Sequence, residues 1–92
     1  MIRSFKHRGL KRLYERGDRS GIRPDLLDIV QDILARLDEA YTPKAMNVPG
    51  YRLHPLKGDM KGFWSVTVRA NWRIIFRFED TDALDVELID YH

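Results

Sequence analysis

Apolar residues along the stretch PDLLDIVQDILARLDEAY, residues 24–41, recur at spacings of four and three. Leu26, Val30, Ile33, Leu37 and Tyr41 line one side of a helix, and Leu27, Ile29 and Leu34 widen the stripe. Pro24 suits the first helical turn, where Asp25 and Asp28 meet the positive end of the helix dipole. An earlier stretch, KHRGLKRLYERG, sets Leu10, Leu13 and Tyr14 on one helical side and stops at Gly17. Gly9 weakens that helix by roughly 1 kcal/mol relative to alanine, so the helix depends on packing. Ile2 to Phe5 alternates apolar and polar residues, as an edge strand does.

From Tyr51 the period changes from helical to two. YRLHPL, FWSVTVR, WRIIFRF and ALDVELID read as four strands joined by KGDMKG, AN and EDTD, connections short enough for antiparallel hairpins. Trp64, Val66 and Val68 share one face, as do Trp72, Ile74, Phe76 and Phe78, and Leu84, Val86 and Leu88. The order β-α-α-β-β-β-β predicts an α+β fold: two helices on one face of a curled, mostly antiparallel sheet. A chain of 92 residues makes this a single domain, residues 1–92, with one two-layer core. Repeats, low-complexity tracts and domain boundaries are absent from the sequence.

Composition narrows the function classes. With 43% hydrophobic and 33% charged residues the chain reads as a soluble globular protein. Cysteine is absent, which excludes disulfides and thiolate chemistry and fits a reducing cytoplasm. MIRSFKHRGLKRL lacks the apolar core of a signal peptide, and no run nears the roughly 20 apolar residues that span a bilayer. Net charge is only +2, but it is segregated. Residues 1–24 hold eight Lys/Arg against two acids, and residues 80–92 hold five acids and no Lys or Arg. Residues 25–47 balance at −3 and residues 48–79 at +4. Such blocks point to a basic surface for a partner, or to plain solvated charge.

Strand alternation selects the chemistry. If Trp72, Ile74, Phe76 and Phe78 pack on the helices, then Arg73, Ile75, Arg77 and Glu79 face the other way. The same parity sends Ser65, Thr67 and Arg69, and Arg52 and His54, to that open face, with Lys57 in the adjoining turn and Tyr91 and His92 at its end. An arginine-rich face rimmed by imidazole and phenol suits a phosphodiester backbone and stackable bases. RNA cleavage needs a base for the 2′-OH proton, an acid for the leaving 5′ oxygen and cations around the phosphorane. Imidazole serves as either base or acid near neutrality, and arginine holds phosphate oxygens in a fork. No cofactor is called for, and His7, His54 and His92 show no metal-ligand spacing.

The stretch YRLHPLKGDMKGFWSVTVRANWRIIFRF with the final DYH resembles the HigB toxins, the plasmid-maintenance killer branch of the RelE/ParE superfamily. MIRSFKHRGLKRLYERG is similar to the start of those toxins, so the resemblance spans nearly the whole chain. It implies a RelE-like fold and a ribosome-dependent endoribonuclease that cuts mRNA in the decoding site, the ribosomal A site. It also implies a HigA antitoxin with a helix-turn-helix domain, so that DNA is met only through the antitoxin. Carried over position by position, the family's functional residues fall on His54, Lys57, Arg73, Asp90, Tyr91 and His92. Arg73 and Lys57 would stabilise the scissile phosphate and His54 and His92 would transfer protons. Asp90 would orient an imidazole or act as a base, and Tyr91 would hold the nucleotide. On this reading the chain ends on DYH because those side chains complete an active site. The segment AMNVPG before Tyr51 departs from the resemblance.

Blander roles stand beside these. His54 before Pro55 suits a simple turn, Lys57 beside Gly58 suits solvent, and Arg73 suits an ion pair with Glu87 or Asp85. Trp64 and Trp72 continue the apolar parity and belong to the core, while His7 faces solvent in a basic helix. Arg8, Lys11, Arg12, Arg16, Arg19 and Arg23 either contact ribosomal RNA or keep the protein soluble. The candidate RNA-binding residues are therefore Arg52, Arg69 and Arg77 on the sheet and Lys11 and Arg12 on the helix. Two other functions share the fold: a ParE-like inhibitor of DNA gyrase without catalysis, and a binding module that has lost activity.

Overall fold

The computed structural model describes residues 1–91. Helix α1 runs Arg8–Arg16 and α2 runs Leu27–Glu39, the latter entered through a 3-10 turn at Pro24–Leu26. Four strands follow, β1 (His54–Pro55), β2 (Trp64–Arg69), β3 (Trp72–Glu79) and β4 (Asp82–Asp90), in one antiparallel sheet ordered as in the sequence. The N-terminal segment lies parallel to β4 through isolated bridges, Ile2 to Ala83 and Phe5 to Val86, and forms no continuous strand.

One core joins the layers. Leu10 and Leu13 of α1 and Val30, Ile33 and Leu37 of α2 bury against Val66, Val68, Ile74, Phe76 and Val86 of the sheet. Gly17 ends α1 in the left-handed conformation, as its position suggested, and returns its N–H to the carbonyl of Leu13. Gly9 has a packing cause. A Cβ there would lie 2.5 Å from the carbonyl oxygen of Gly21, so the loop after α1 crosses the helix where only glycine admits it.

The structure corrects several expectations. Helix α2 ends at Glu39; Ala40 is already extended and buried, and Tyr41 swings out to 70% exposure. Ile29 is exposed as well, so the buried stripe is narrower than the spacing implied. Trp64 and Trp72 lie against the core but are only partly buried, and the guanidinium of Arg23 stands 5.6 Å over the Trp72 ring. His7 does not face solvent freely. It is half-buried and caps α1, its Nδ1 accepting the Leu10 N–H at 3.1 Å. Burial lowers the His7 pKa.

Two irregularities matter for what faces the open side. Pairing passes from Thr67 with Arg73 to Arg69 with Trp72, which leaves Val68 as an extra residue on β2. Pairing also passes from Ile75 with Glu87 to Arg77 with Leu84, leaving two residues of β4 opposite Phe76 alone. Asp85, one of those two, has a left-handed backbone, φ 54°, and its N–H donates to Ser4 Oγ at 2.8 Å. Beyond this bulge the parity inverts: Ala83 is fully buried while Leu84, expected in the core, moves to the face of Arg77.

Candidate active site

On the sheet face turned away from the helices, a cleft of about 220 Å³ is lined by Arg52, His54, Leu56, Ser65, Thr67, Arg73 and Tyr91. The register explains this convergence. His54 pairs with Ser65 across β1–β2, and Thr67 pairs with Arg73 across β2–β3. Residues directly opposite point to the same face, so each strand contributes side chains to one patch. Tyr91 follows the last residue of β4, Asp90, which pairs with Trp72 beside Arg73.

The approach to β1 is held from the helix layer. Tyr51 is buried; its hydroxyl donates to the carboxylate of Asp32 on α2 and its carbonyl accepts the Thr67 N–H at 2.6 Å. Burial, then the hydrogen bond to Asp32, pushes the Tyr51 pKa up to about 12. With Tyr51 fixed, Arg52 takes a left-handed backbone, φ 52°, a conformation uncommon outside glycine and concentrated at functional positions. His54 lies exposed two residues on.

Arg73 is the most constrained cation of the cleft. Its Nη1 donates to the Ala70 carbonyl at 2.7 Å and to the Trp72 carbonyl at 3.3 Å. It forms no ion pair with Glu87 or Asp85; the partner of Asp85 is Arg77, at 2.7 Å. Among the described residues no carboxylate pairs with Arg73, which lies beside Arg52, and the cleft favours an anion.

The remaining candidates lie elsewhere. Lys57 is exposed in the β1–β2 connection, where it precedes a 3-10 turn at Gly58–Met60. Asp90 is exposed at the end of β4, adjacent to Tyr91. Arg69 lies beyond the extra residue at Val68 and does not line the cleft, and Arg77 is taken up by Asp85 and Glu79. Lys11 and Arg12 face a shallow groove on α1 with Arg8, Glu15 and Arg16, and Arg12 pairs with Asp18 at 3.4 Å. His92 falls outside the described residues. Ser65 and Thr67, which strand parity sends to this face, line the cleft as expected, whereas Leu56 is a lining residue that the sequence reading did not single out. Parity with Arg52 and His54 was the signal that could have found it.

Comparison with known proteins decides the lineage. The family model for the RelE-like toxin of the type II toxin-antitoxin system HigB matches residues 3–92. The chain belongs to the HigB family. It is 50% identical over 92 residues to Endoribonuclease HigB of Proteus vulgaris, covering the whole of both chains. It is 31% identical over 90 residues to Toxin HigB-1 of Vibrio cholerae serotype O1, covering 96% of this chain and 95% of that one. Among solved structures, a YafQ variant from E. coli superposes with a TM-score of 0.61 at 19% identity, covering 95% of this chain and 87% of the other. A YoeB/ParE toxin from Agrobacterium tumefaciens superposes at 0.54 and 19% identity, covering 100% and 99%. These structural likenesses show a RelE-type α+β fold. As a HigB-family toxin of a type II system, the chain has an antitoxin partner. No helix among the described residues is long and apolar enough to cross a membrane.

Proposed function

We propose that this HigB-family toxin is an endoribonuclease that cuts mRNA in the ribosomal A site by attack of the ribose 2′-OH on the adjacent phosphate. The observation that carries the reading is the one cleft in which His54 of β1, Arg73 of β3, Arg52 from the segment before β1 and Tyr91 from the segment after β4 meet. The 50% identity to a protein named as an endoribonuclease supports it.

In this mechanism the Arg73 fork, aided by Lys57, binds the non-bridging oxygens, which gain charge as the phosphorane forms. His54 and His92 carry the proton transfers: one removes the 2′-OH proton and the other protonates the departing 5′ oxygen. Asp90 orients an imidazole or takes the base role, and Tyr91, half exposed at the cleft rim, stacks on a base. Arg52 extends the phosphate contact. Arg69 and Arg77 on the sheet, and Lys11 and Arg12 on α1, supply the longer-range attraction to mRNA and ribosomal RNA. The antitoxin is of the HigA helix-turn-helix type, and the site of action is the cytoplasm.

The test is to map 5′ ends of cellular RNA after brief induction of the parent chain, Arg73→Ala and a His92 deletion. The parent produces new 5′ ends within translated transcripts and arrests growth. Both variants accumulate without arrest and still bind antitoxin. DNA breaks with intact transcripts would replace the nuclease with a gyrase inhibitor. Growth arrest by both variants at parental strength would dismiss the site.

A further inference from the structure

Two catalytic-side elements of the cleft converge on one exposed hairpin turn. The turn is Ala70–Asn71, between β2 and β3. The Ala70 carbonyl accepts Arg73 Nη1 at 2.7 Å, and the Asn71 carbonyl accepts the Tyr91 N–H at 2.8 Å. These acceptors are consecutive carbonyls of the chain, so they move as a unit. We propose that the Ala70–Asn71 turn is the positioning device of the cleft, holding the Arg73 guanidinium and the backbone of Tyr91 in one frame through those two carbonyl groups. The inference rests on the nuclease reading above and adds residues to it that no side-chain chemistry would select.

Each bond corrects a specific weakness. A free arginine samples many rotamers, and ordering it when substrate binds costs free energy. Tying Nη1 to the backbone orders the side chain in advance, and Nε and Nη2 keep no hydrogen-bond partner among the described residues, free for a phosphate. The second weakness is the end of β4. Its last ladder pair is Trp72 with Asp90, and residues beyond a strand end fray unless tied down. The Tyr91 N–H continues the bonding one step further, onto the turn itself.

The backbone of the turn is unusual in the way such a role requires. Ala70 is left-handed, φ 51°, a conformation that L-residues other than Asn and Asp rarely adopt. Val68, the extra residue of β2, lies two residues before Ala70 and shifts the register just ahead of the turn. The β3–β4 hairpin offers a comparison within the same molecule. Asp80 is also left-handed, φ 56°, yet neither carbonyl of Asp80–Thr81 accepts a side-chain hydrogen bond among the described residues. The left-handed turn alone therefore does not create the clamp; its placement beside Arg73 and Tyr91 does.

The experiment compares Ala70→Gly, Ala70→Val and a glycine inserted between Ala70 and Asn71, as full-length protein on ribosomes carrying a defined mRNA. Glycine accepts φ near +50°, so Ala70→Gly keeps the single-turnover cleavage rate within about threefold of the parent. Valine is an outlier at that φ, and its turn rearranges. Displacement of the carbonyls by about 1 Å lowers the rate by about 10- to 100-fold, with the half-saturating ribosome concentration changed less than about threefold. The insertion, at a loop tip that tolerates added residues, has the same effect should the valine variant fail to fold. Amide hydrogen exchange gives a readout independent of cleavage: the Tyr91 amide is protected in the parent and in Ala70→Gly, and exchanges freely in the other two. Parental cleavage rates in a folded Ala70→Val or insertion variant, or an unprotected Tyr91 amide in the parent, overturn the clamp. A parent that leaves ribosome-bound mRNA intact overturns the nuclease reading itself, and the clamp's catalytic meaning with it.

Discussion

Gly9→Ala sets two physical effects against each other, and the structure decides the sign. Alanine inside a helix is favoured over glycine by about 1 kcal/mol, so propensity alone makes the substitution stabilising. The added Cβ, however, would sit 2.5 Å from the Gly21 carbonyl oxygen and 3.0 Å from its carbon, with His7 Cε1 at 2.9 Å. The first two atoms are backbone and cannot rotate away, so the loop must shift off the helix. Overpacking of this kind costs about 1–3 kcal/mol, and a backbone clash lies at the upper end. The balance is a net loss of about 2 kcal/mol, which lowers the melting temperature by roughly 8–16 °C for a domain of this size. Thermal and urea denaturation of the purified chain read it directly. A Gly9→Ala protein as stable as the parent, or more so, would refute the argument that the close approach of α1 and the Gly21 loop outweighs helix propensity.

Further outcomes follow from other contacts. Arg77→Ala leaves the single-turnover rate at saturating ribosomes within about threefold of the parent and the urea midpoint nearly unchanged, because Arg77 lies outside the cleft and its ion pairs are partly solvated; its longer-range attraction shows only as a higher half-saturating ribosome concentration. His7 caps α1 as a neutral acceptor with a lowered pKa, so the unfolded chain takes up the proton first. Stability therefore starts to fall as pH drops below about 6.5 and keeps falling until the lowered folded value is passed. His7→Asn, which caps without titrating, removes this part of the acid loss in a pH series of denaturation curves. At the alkaline end, Tyr14 is pushed up to about 12 by its hydrogen bond to Asp38, 2.5 Å, and Tyr51 to a similar value by burial and Asp32. The unfolded tyrosines ionise first, near pH 10, so stability declines between about pH 10 and 12. Replacing both with phenylalanine flattens that arm while costing about 1 kcal/mol per lost hydrogen bond at neutral pH.

The stripe of α2 and the alternation of β3 are local properties, and they sufficed to set two helices against an antiparallel sheet. Parity also placed Arg52, His54, Arg73 and Tyr91 on a common face, because side-chain direction along a strand has a fixed period of two. The strand reading set Lys57 and His92 only beside that face, and family resemblance gave them their roles; Asp90 entered through the resemblance alone. Tertiary contacts decided the rest. The inversion of Ala83 and Leu84 depends on Asp85 adopting a left-handed backbone and donating its N–H to Ser4, a partner 81 residues away. His7 became a cap only when the chain turned into α1 there, and Tyr41 left the core because α2 stopped two residues short of it.

A linear pattern records which way each side chain points so long as the backbone stays regular, and it is blind to carbonyl groups and to the single inserted residue that reverses a face. Those features are chosen by contacts between distant parts of the polypeptide. The guanidinium of Arg73 was legible from its place on β3; the backbone oxygen that aims it was visible only once the chain had folded.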